Sequence, residues 1–281
     1  MAVGVVMVST AAIAIRFAQE GAPSLSIAAW RLTLAAVILA PIVLSQHRDE
    51  LSRLTRSELA RATVAGLLLA VHFATWISSL EFTSVAASVV LVATSPLFVG
   101  LLSPLLLQEP VPRLMYGGIL IAIVGTVVIA LGGLGGGSEP FKGNLLALVG
   151  SLCVAGYMMI GRTLRRQLTL LPYIFVVYGV AAIVMLAVVL VTRQPMLGFA
   201  PETNAWILYL ALGPQLVGHS SFNWALRYLS ATYATVTLLC EPIGASLLAW
   251  LLLDEIPIKL EVMGGTLILA GVAIASRAER E

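Results

Sequence analysis

The sequence predicts an all-α integral membrane protein whose ten transmembrane helices form two inverted five-helix repeats around a central cavity. Three observations predict it. First, 59% of the 281 residues are apolar and 11% are charged, against about 45–50% and about 25% in soluble domains. That composition excludes an ordinary soluble enzyme. Second, hydropathy and turn residues divide the chain into apolar segments of about 20 residues, the length that crosses a hydrocarbon core of about 30 Å. Third, the chain matches itself at an offset of 146 residues.

The predicted spans are 2–19, 25–46, 59–80, 83–106, 112–132, 142–163, 170–192, 204–226, 231–253 and 258–277. Each break has a physical cause. Gly21-Ala22-Pro23 ends the first span, the charged stretch Gln46 to Arg61 separates the second from the third, and Glu109-Pro110-Val111-Pro112 follows the fourth. The glycine-rich run Gly132 to Ser138 follows the fifth, and Pro195 to Pro201 separates the seventh from the eighth. The alternation of outer-membrane strands is absent, so the segments are helices. Met1 to Ile15 lack a basic start and run straight into an apolar stretch, which predicts a retained first helix rather than a cleaved signal.

Charge reports orientation. With a cytoplasmic amino terminus, eleven basic residues face the cytosol: Arg48, Arg53, Arg56, Arg61, Arg113, Arg162, Arg165, Arg166, Arg227, Arg277 and Arg280. Only four, Arg16, Lys142, Arg193 and Lys259, face outward, and Arg31 lies within a span. The imbalance predicts both termini inside. A net charge of +2 gives no reason to expect nucleic acid. Cys153 and Cys240 sit in apolar runs and read as small packing residues.

The offset of 146 aligns Pro96 with Pro242, Glu109 with Glu255, Gly118 with Gly264 and Gly125 with Gly271, within ten identities over positions 96–125. The leucines in that match carry little weight. The co-registered Pro, Glu and Gly residues predict a duplication, 1–135 and 136–281. Five spans per copy is an odd number, so the second copy enters the membrane inverted. The charges agree: the basic loop 48–61 corresponds to a loop with Arg193 alone, and Arg162, Arg165 and Arg166 correspond to a stretch holding only Arg16. Inverted repeats suit transport, because exchanging the conformations of the halves opens a midplane site to one side and then the other. The glycine run reads as a link between halves. No Gly-Lys-Ser/Thr element follows it, so no ATP site is expected.

Trp30-Arg31 in the second span, Thr94-Ser95-Pro96-Leu97-Phe98 to Leu107-Gln108-Glu109 in the fourth, and their echo Cys240-Glu241-Pro242-Ile243 to Leu253-Asp254-Glu255 resemble the EamA-type family of the drug/metabolite transporter superfamily. The resemblance covers essentially the whole chain and is greatest to bacterial exporters of aromatic and other amino acids. It implies export of small metabolites, with no enzyme activity and no cofactor.

Candidate cargo contacts follow from helical spacing. His72, Trp76 and Ser79 share one face of the third helix. They form either a cavity wall, with Trp76 stacking on cargo and His72 supplying a hydrogen bond or proton, or an interhelical histidine beside an interfacial tryptophan. His219, Asn223 and Arg227 repeat every four residues on the eighth span. Asn223 suits a zwitterion, Arg227 reads as a snorkelling anchor, and Trp224 reads as packing. Glu241, on a face with Tyr233 and Thr237, carries the largest penalty: a carboxylate at mid-helix depth costs about 2.5–3.5 kcal/mol unless paired, protonated or hydrated. It either binds a cargo ammonium or couples a proton, or it is a structural carboxylate beside the Pro242 kink; Ser95 is its counterpart in the other repeat. Tyr157, Ser9 and Thr10 are weaker cavity candidates. Arg31 reads as snorkelling outward or pairing with Glu20 rather than touching cargo. Pro96 and Pro242 each remove a backbone donor in equivalent helices and read as hinges. Glu109 and Glu255 read as interfacial caps or interhelix bonds, and Gly117-Gly118 and Gly264-Gly265 as close-packing positions.

The expected activity is secondary transport, exporting amino acids, aromatic ones included, and related small metabolites by alternating access. The partners expected are a small-molecule substrate and membrane lipid, with no metal, a coupled proton as one energy source, and no required oligomer. The alternatives are a carrier for drugs, quaternary amines or sugars, and an intramembrane lipid-modifying enzyme. The enzyme reading lacks a His-x-x-x-His pair and a Gly-x-Ser-x-Gly turn. A passive channel lacks a charged ring or a selectivity loop.

Overall fold

The computed structural model describes residues 1–132, 138–253 and 259–279. The glycine link at 133–137, Asp254, Glu255 and Arg280 lie outside the described residues. Within them the chain is helical throughout, with no strand.

In chain order the longer helical stretches among the described residues are α1 (Ala2–Gln19), α2 (Ser24–Gln46), α3 (Arg56–Phe82), α4 (85–106), α5 (Arg113–Gly132), α6 (Pro140–Arg165), α7 (Leu170–Val191), α8 (201–225), α9 (231–253) and α10 (Lys259–Ala278), with a short helix, Arg48–Ser52, in the connection after α2. Among the described residues six are long and apolar enough to cross a membrane: α1, α2, α3, the Ala87–Leu106 part of α4, α6 and α7. Shorter apolar stretches, Arg113–Val128 and Val262–Ala278, occupy α5 and α10. Local chemistry sets the starts. Thr55 and Glu58 form a capping box at α3, and Ser84 and Ser230 cap α4 and α9 through hydroxyls that accept from Ala87 N and Tyr233 N, each at 3.1 Å.

Several helices are broken in their middles. α4 is interrupted at 93–94, immediately before Ser95-Pro96. α9 tightens into a 3₁₀ turn over Thr237–Cys240, immediately before Glu241-Pro242. In both, the proline sits at the start of the following helical segment, where its missing N–H has no intrahelical partner to lose. α8 widens into a π-helix over Ala211–His219, which contains Pro214. A wider turn relieves the clash that a proline ring makes with the preceding turn.

Helices far apart in the sequence pack in pairs. α1 lies against α8, α3 against α6, α2 against α7 and α5 against α10. A Cβ on Gly4 would meet Ser221, the Gly218 carbonyl and Phe222, and a Cβ on Gly150 would meet Thr75, the His72 carbonyl and Trp76. A Cβ on Gly118 would lie 2.7 Å from the Gly271 carbonyl, and one on Gly125 would lie 2.5 Å from the Gly264 carbonyl. At the crossing of α5 and α10 only glycine lets the backbones touch. One apolar core joins α1–α3, α6 and α7, while α5 and α10 build a second cluster with Val236 and Leu239 of α9. The outward faces are also apolar: Leu105 is 77% and Leu190 79% exposed, as a surface in contact with lipid tails requires.

Candidate functional site

Where the broken helices α4, α8 and α9 face α1, α2, α3 and α6, the packing leaves a buried cavity. Its polar lining is Arg31, His72, Trp76, Ser95, His219 and Glu241, set among Val8, Ala11, Val92, Ala93, Val154 and Leu238. It offers about 30 Å³ to the centres of water molecules, room for a few waters and too little for an amino acid. The cavity must widen to admit cargo. Five polar atoms on this lining make no hydrogen bond within the protein: both Nη of Arg31, Trp76 Nε1, Ser95 Oγ and His219 Nδ1. Buried polar atoms are almost always satisfied, so these five give the cavity lining unused hydrogen-bonding capacity.

Five of the sequence-predicted residues therefore meet here, His72, Trp76, Ser95, His219 and Glu241, from α3, α4, α8 and α9. His72 and Trp76 are one turn apart and stack at 5.7 Å between ring centroids. The Gly150 carbonyl accepts from His72 Nδ1 at 2.9 Å, which leaves Nε2 of the neutral ring as an acceptor. The His219 ring lies 6.2 Å from that of His72 and packs edge-on against Phe73 at 5.1 Å. Glu241 opens the α9 segment after the 3₁₀ turn and forms no ion pair with Arg31.

Arg31 departs from its reading. It is fully buried and neither snorkels nor reaches Glu20, which is exposed. Its Nε donates to Gln215 Oε1 at 2.9 Å and its guanidinium lies 4.2 Å from the centroid of the Phe73 ring. The cation–π contact and single hydrogen bond hold the group in place while leaving most of its donors unused. Gln215, on the π-helix of α8, was not anticipated. Its position one four-residue step before His219 was the signal that could have found it.

Five other candidates do not line the cavity. Ser79 donates to the Trp76 carbonyl at 2.7 Å and shares a hydrogen bond of 2.6 Å with Ser88, tying α3 to α4. Asn223 donates to the Tyr157 hydroxyl and, at 2.9 Å, to the His219 carbonyl, and both side chains are buried between α6, α7 and α8. Tyr233 shares a hydrogen bond of 2.8 Å with Ser276 on α10. Thr237 returns its hydroxyl to the Ala234 carbonyl. The expected Tyr233–Thr237–Glu241 face fails because the 3₁₀ turn advances three rather than 3.6 residues per turn and so rotates Glu241 out of register with the others. Ser9 and Thr10 also bond carbonyls of their own helix.

Charged ties close the helix ends around this core. Arg162 Nε donates to Glu109 Oε1 at 2.7 Å, Arg166 donates to the same oxygen, and Arg162 Nη1 donates to the Leu226 carbonyl at 2.8 Å. Glu109 is thus an interhelix bond, one of the two roles read for it. Arg165 is buried and donates to the Asn223 and Leu168 carbonyls. At the opposite end Glu81 accepts from Ser24, and Arg16 donates to the Leu80 carbonyl at 2.7 Å. Arg227 is exposed, as an anchor would be.

The sequence profile of the EamA-like transporter family matches residues 1–131 and 141–277. The chain is 26% identical to the pseudopaline exporter CntI of Pseudomonas aeruginosa over 81% of this chain and 78% of that protein. It is 30% identical to a probable terminal-alkyne amino-acid exporter of Streptantibioticus cattleyicolor over 66% of this chain and 62% of that one. The match to YdfC, an uncharacterised transporter of Bacillus subtilis, spans 61% of that protein's length. A solved crystal structure, 19% identical in sequence, superposes with a TM-score of 0.80 over 99% of this chain and 96% of its own. That likeness establishes the fold alone.

Proposed function

The chain belongs to the EamA-like transporter family, and with its membrane-length helices it is a multi-pass membrane protein; from that premise we propose that it exports amino acids, aromatic ones included, and related small metabolites by alternating access. The single observation that carries this reading is the cavity whose lining residues carry five buried polar atoms without partners and include the stacked pair His72 and Trp76. Such a lining offers a zwitterion both hydrogen-bonding groups and an aromatic wall. The amino-acid cargo in the name of the Streptantibioticus relative points the same way.

Alternating access needs two halves that can exchange conformations. Reciprocal contacts support ten crossings in two inverted repeats, 1–135 and 136–281. Shifted by 146, Gly4 becomes Gly150, while His72, Thr75 and Trp76 become Gly218, Ser221 and Phe222, so the two glycine contact sets map onto each other. The crossing of α5 and α10 maps onto itself, because Gly118 meets Gly271 while Gly125 meets Gly264. Residue i touching the copy of j while j touches the copy of i is the signature of a two-fold axis. The interruptions at 93–94 and Thr237–Cys240 also correspond, so Pro96 and Pro242 are the hinges about which α4 and α9 pivot.

The basic residues orient both termini toward the cytoplasm in the bacterial inner membrane. The chain works as a carrier rather than an enzyme, needs no cofactor, and encloses its cavity within one protomer. Counterflow in proteoliposomes tests the reading. Liposomes preloaded with an unlabelled amino-acid mixture should accumulate labelled amino acid transiently. Flux without counterflow would indicate a channel, and a response confined to sugars or quaternary amines would overturn the cargo class.

A further inference from the structure

We propose that Arg31, presented by Gln215 and Phe73, is the subsite that takes the carboxylate of the cargo, with Glu241 on the same cavity lining taking its ammonium. The inference rests on the amino-acid reading and deepens it by naming which end of the zwitterion goes where.

The geometry carries it. A guanidinium has five N–H donors in a rigid plane. In Arg31 the Nε donor is spent on Gln215, and one face of the plane is spent on Phe73. Both Nη atoms are buried and have no partner, on a side chain that lines the cavity. Two parallel donors on one edge of a guanidinium match the two oxygens of a carboxylate, a pairing that a compact ammonium does not reproduce. A structural role would give those donors to backbone carbonyls, as Arg165 gives its own to Asn223 and Leu168. The carboxylate that shares the cavity, Glu241, does not take them, since no ion pair joins it to Arg31. The site therefore holds a cation and a separate acid on one lining, a charge pair complementary to a zwitterion. Trp76 and His72 lie on the same lining, where the cargo side chain would rest.

Three probes that share one side chain separate the ends: L-phenylalanine, phenethylamine, which lacks the carboxylate, and 3-phenylpropionate, which lacks the ammonium. Binding to purified full-length protein in nanodiscs gives the ratio of their affinities, a quantity independent of the folded fraction. The wild type should prefer phenylalanine over phenethylamine by about ten- to a hundredfold, the range of a hydrogen-bonded charge contact. Arg31→Gln should abolish that preference and the binding of 3-phenylpropionate while leaving phenethylamine within about threefold. Glu241→Gln should do the converse. Where Arg31→Gln fails to fold, Arg31→Lys is read by the same ratio and should lose most of the preference, because an ammonium cannot make the paired contact. Equal wild-type affinity for phenylalanine and phenethylamine overturns the subsite, with no variant needed. So does a variant that weakens both probes equally, because Arg31 would then be holding the cavity open or bonding Glu241 in another conformation. Wild-type protein that binds none of the three overturns the amino-acid reading and this assignment with it.

Discussion

Arg31 and Glu241 line one cavity and differ in how their charges are held. The guanidinium has a ring beneath it and an amide beside it, whereas the carboxylate begins a helical segment, where an acidic side chain is favoured by the exposed N–H groups. If Glu241 also carries the coupling proton, Glu241→Gln should abolish flux driven by an imposed pH gradient, while exchange at equal pH, weakened by the lost ammonium contact, is still measurable at saturating cargo; wild-type flux indifferent to the gradient removes proton coupling. In the proposed site Trp76 is the aromatic wall, so Trp76→Ala should weaken phenylalanine binding about two- to tenfold, the range of a lost aromatic pair, with little effect on leucine. Equal losses for both cargoes would make Trp76 a packing residue. Glu241, His72 and Trp76 were legible in the sequence because each is conspicuous on an apolar helix. Arg31 and Gln215 were not read as site residues, because distance along a helix does not reveal whether a side chain turns toward lipid or toward the bundle. Their pairing spans 184 positions and exists only after folding.

At the scale of elements, helix–helix contacts depend on where backbones touch. Gly117 and Gly118 look equivalent in sequence, yet a Cβ on Gly117 meets nothing within 4 Å while one on Gly118 would strike the Gly271 carbonyl. Gly117→Ala should therefore be neutral or slightly stabilising through helix propensity. Gly125→Ala, aimed at the Gly264 carbonyl, should cost about 1–3 kcal/mol and lower the thermal unfolding midpoint in detergent. Equal midpoints for the two variants would mean that α5 and α10 do not cross as described. A second element-level tie is Glu109, whose one oxygen accepts from both Arg162 and Arg166. Apolar length made most segments legible, with α7, read as 170–192, observed at Leu170–Val191. The spacing argument failed where helices are not α-helices. A constant 100° per residue cannot foresee a 3₁₀ turn over Thr237–Cys240 or a π-helix over Ala211–His219, and these decide which residues of α8 and α9 face the cavity. The prolines were the available warning, because each interruption adjoins or contains one.

For the whole molecule, the two-fold relation and the charge distribution make one joint claim. If the second repeat is inverted, the connection after α2 and the end of α6 lie on the same membrane face, although they belong to opposite halves. In the structure they meet, since Thr169, just beyond α6, donates through its backbone N and hydroxyl to Glu50 in the connection that follows α2, at 2.7 and 2.6 Å. Arg53 and Arg166 then belong to one basic face, and the positive-inside rule makes that face cytoplasmic. The two native cysteines, both half-buried, can be replaced to give a silent background. In that background, Arg53→Cys and Arg166→Cys should resist a membrane-impermeant maleimide in intact cells and react once the cytoplasmic side is opened. Gln194→Cys, in the connection between α7 and α8, should show the opposite pattern. Labelling of Arg53→Cys and Arg166→Cys from opposite sides would leave an odd number of crossings between them and remove the inverted-repeat architecture on which alternating access depends. Labelling of both from outside would keep the architecture and reverse its orientation, which turns the positive face outward against the rule.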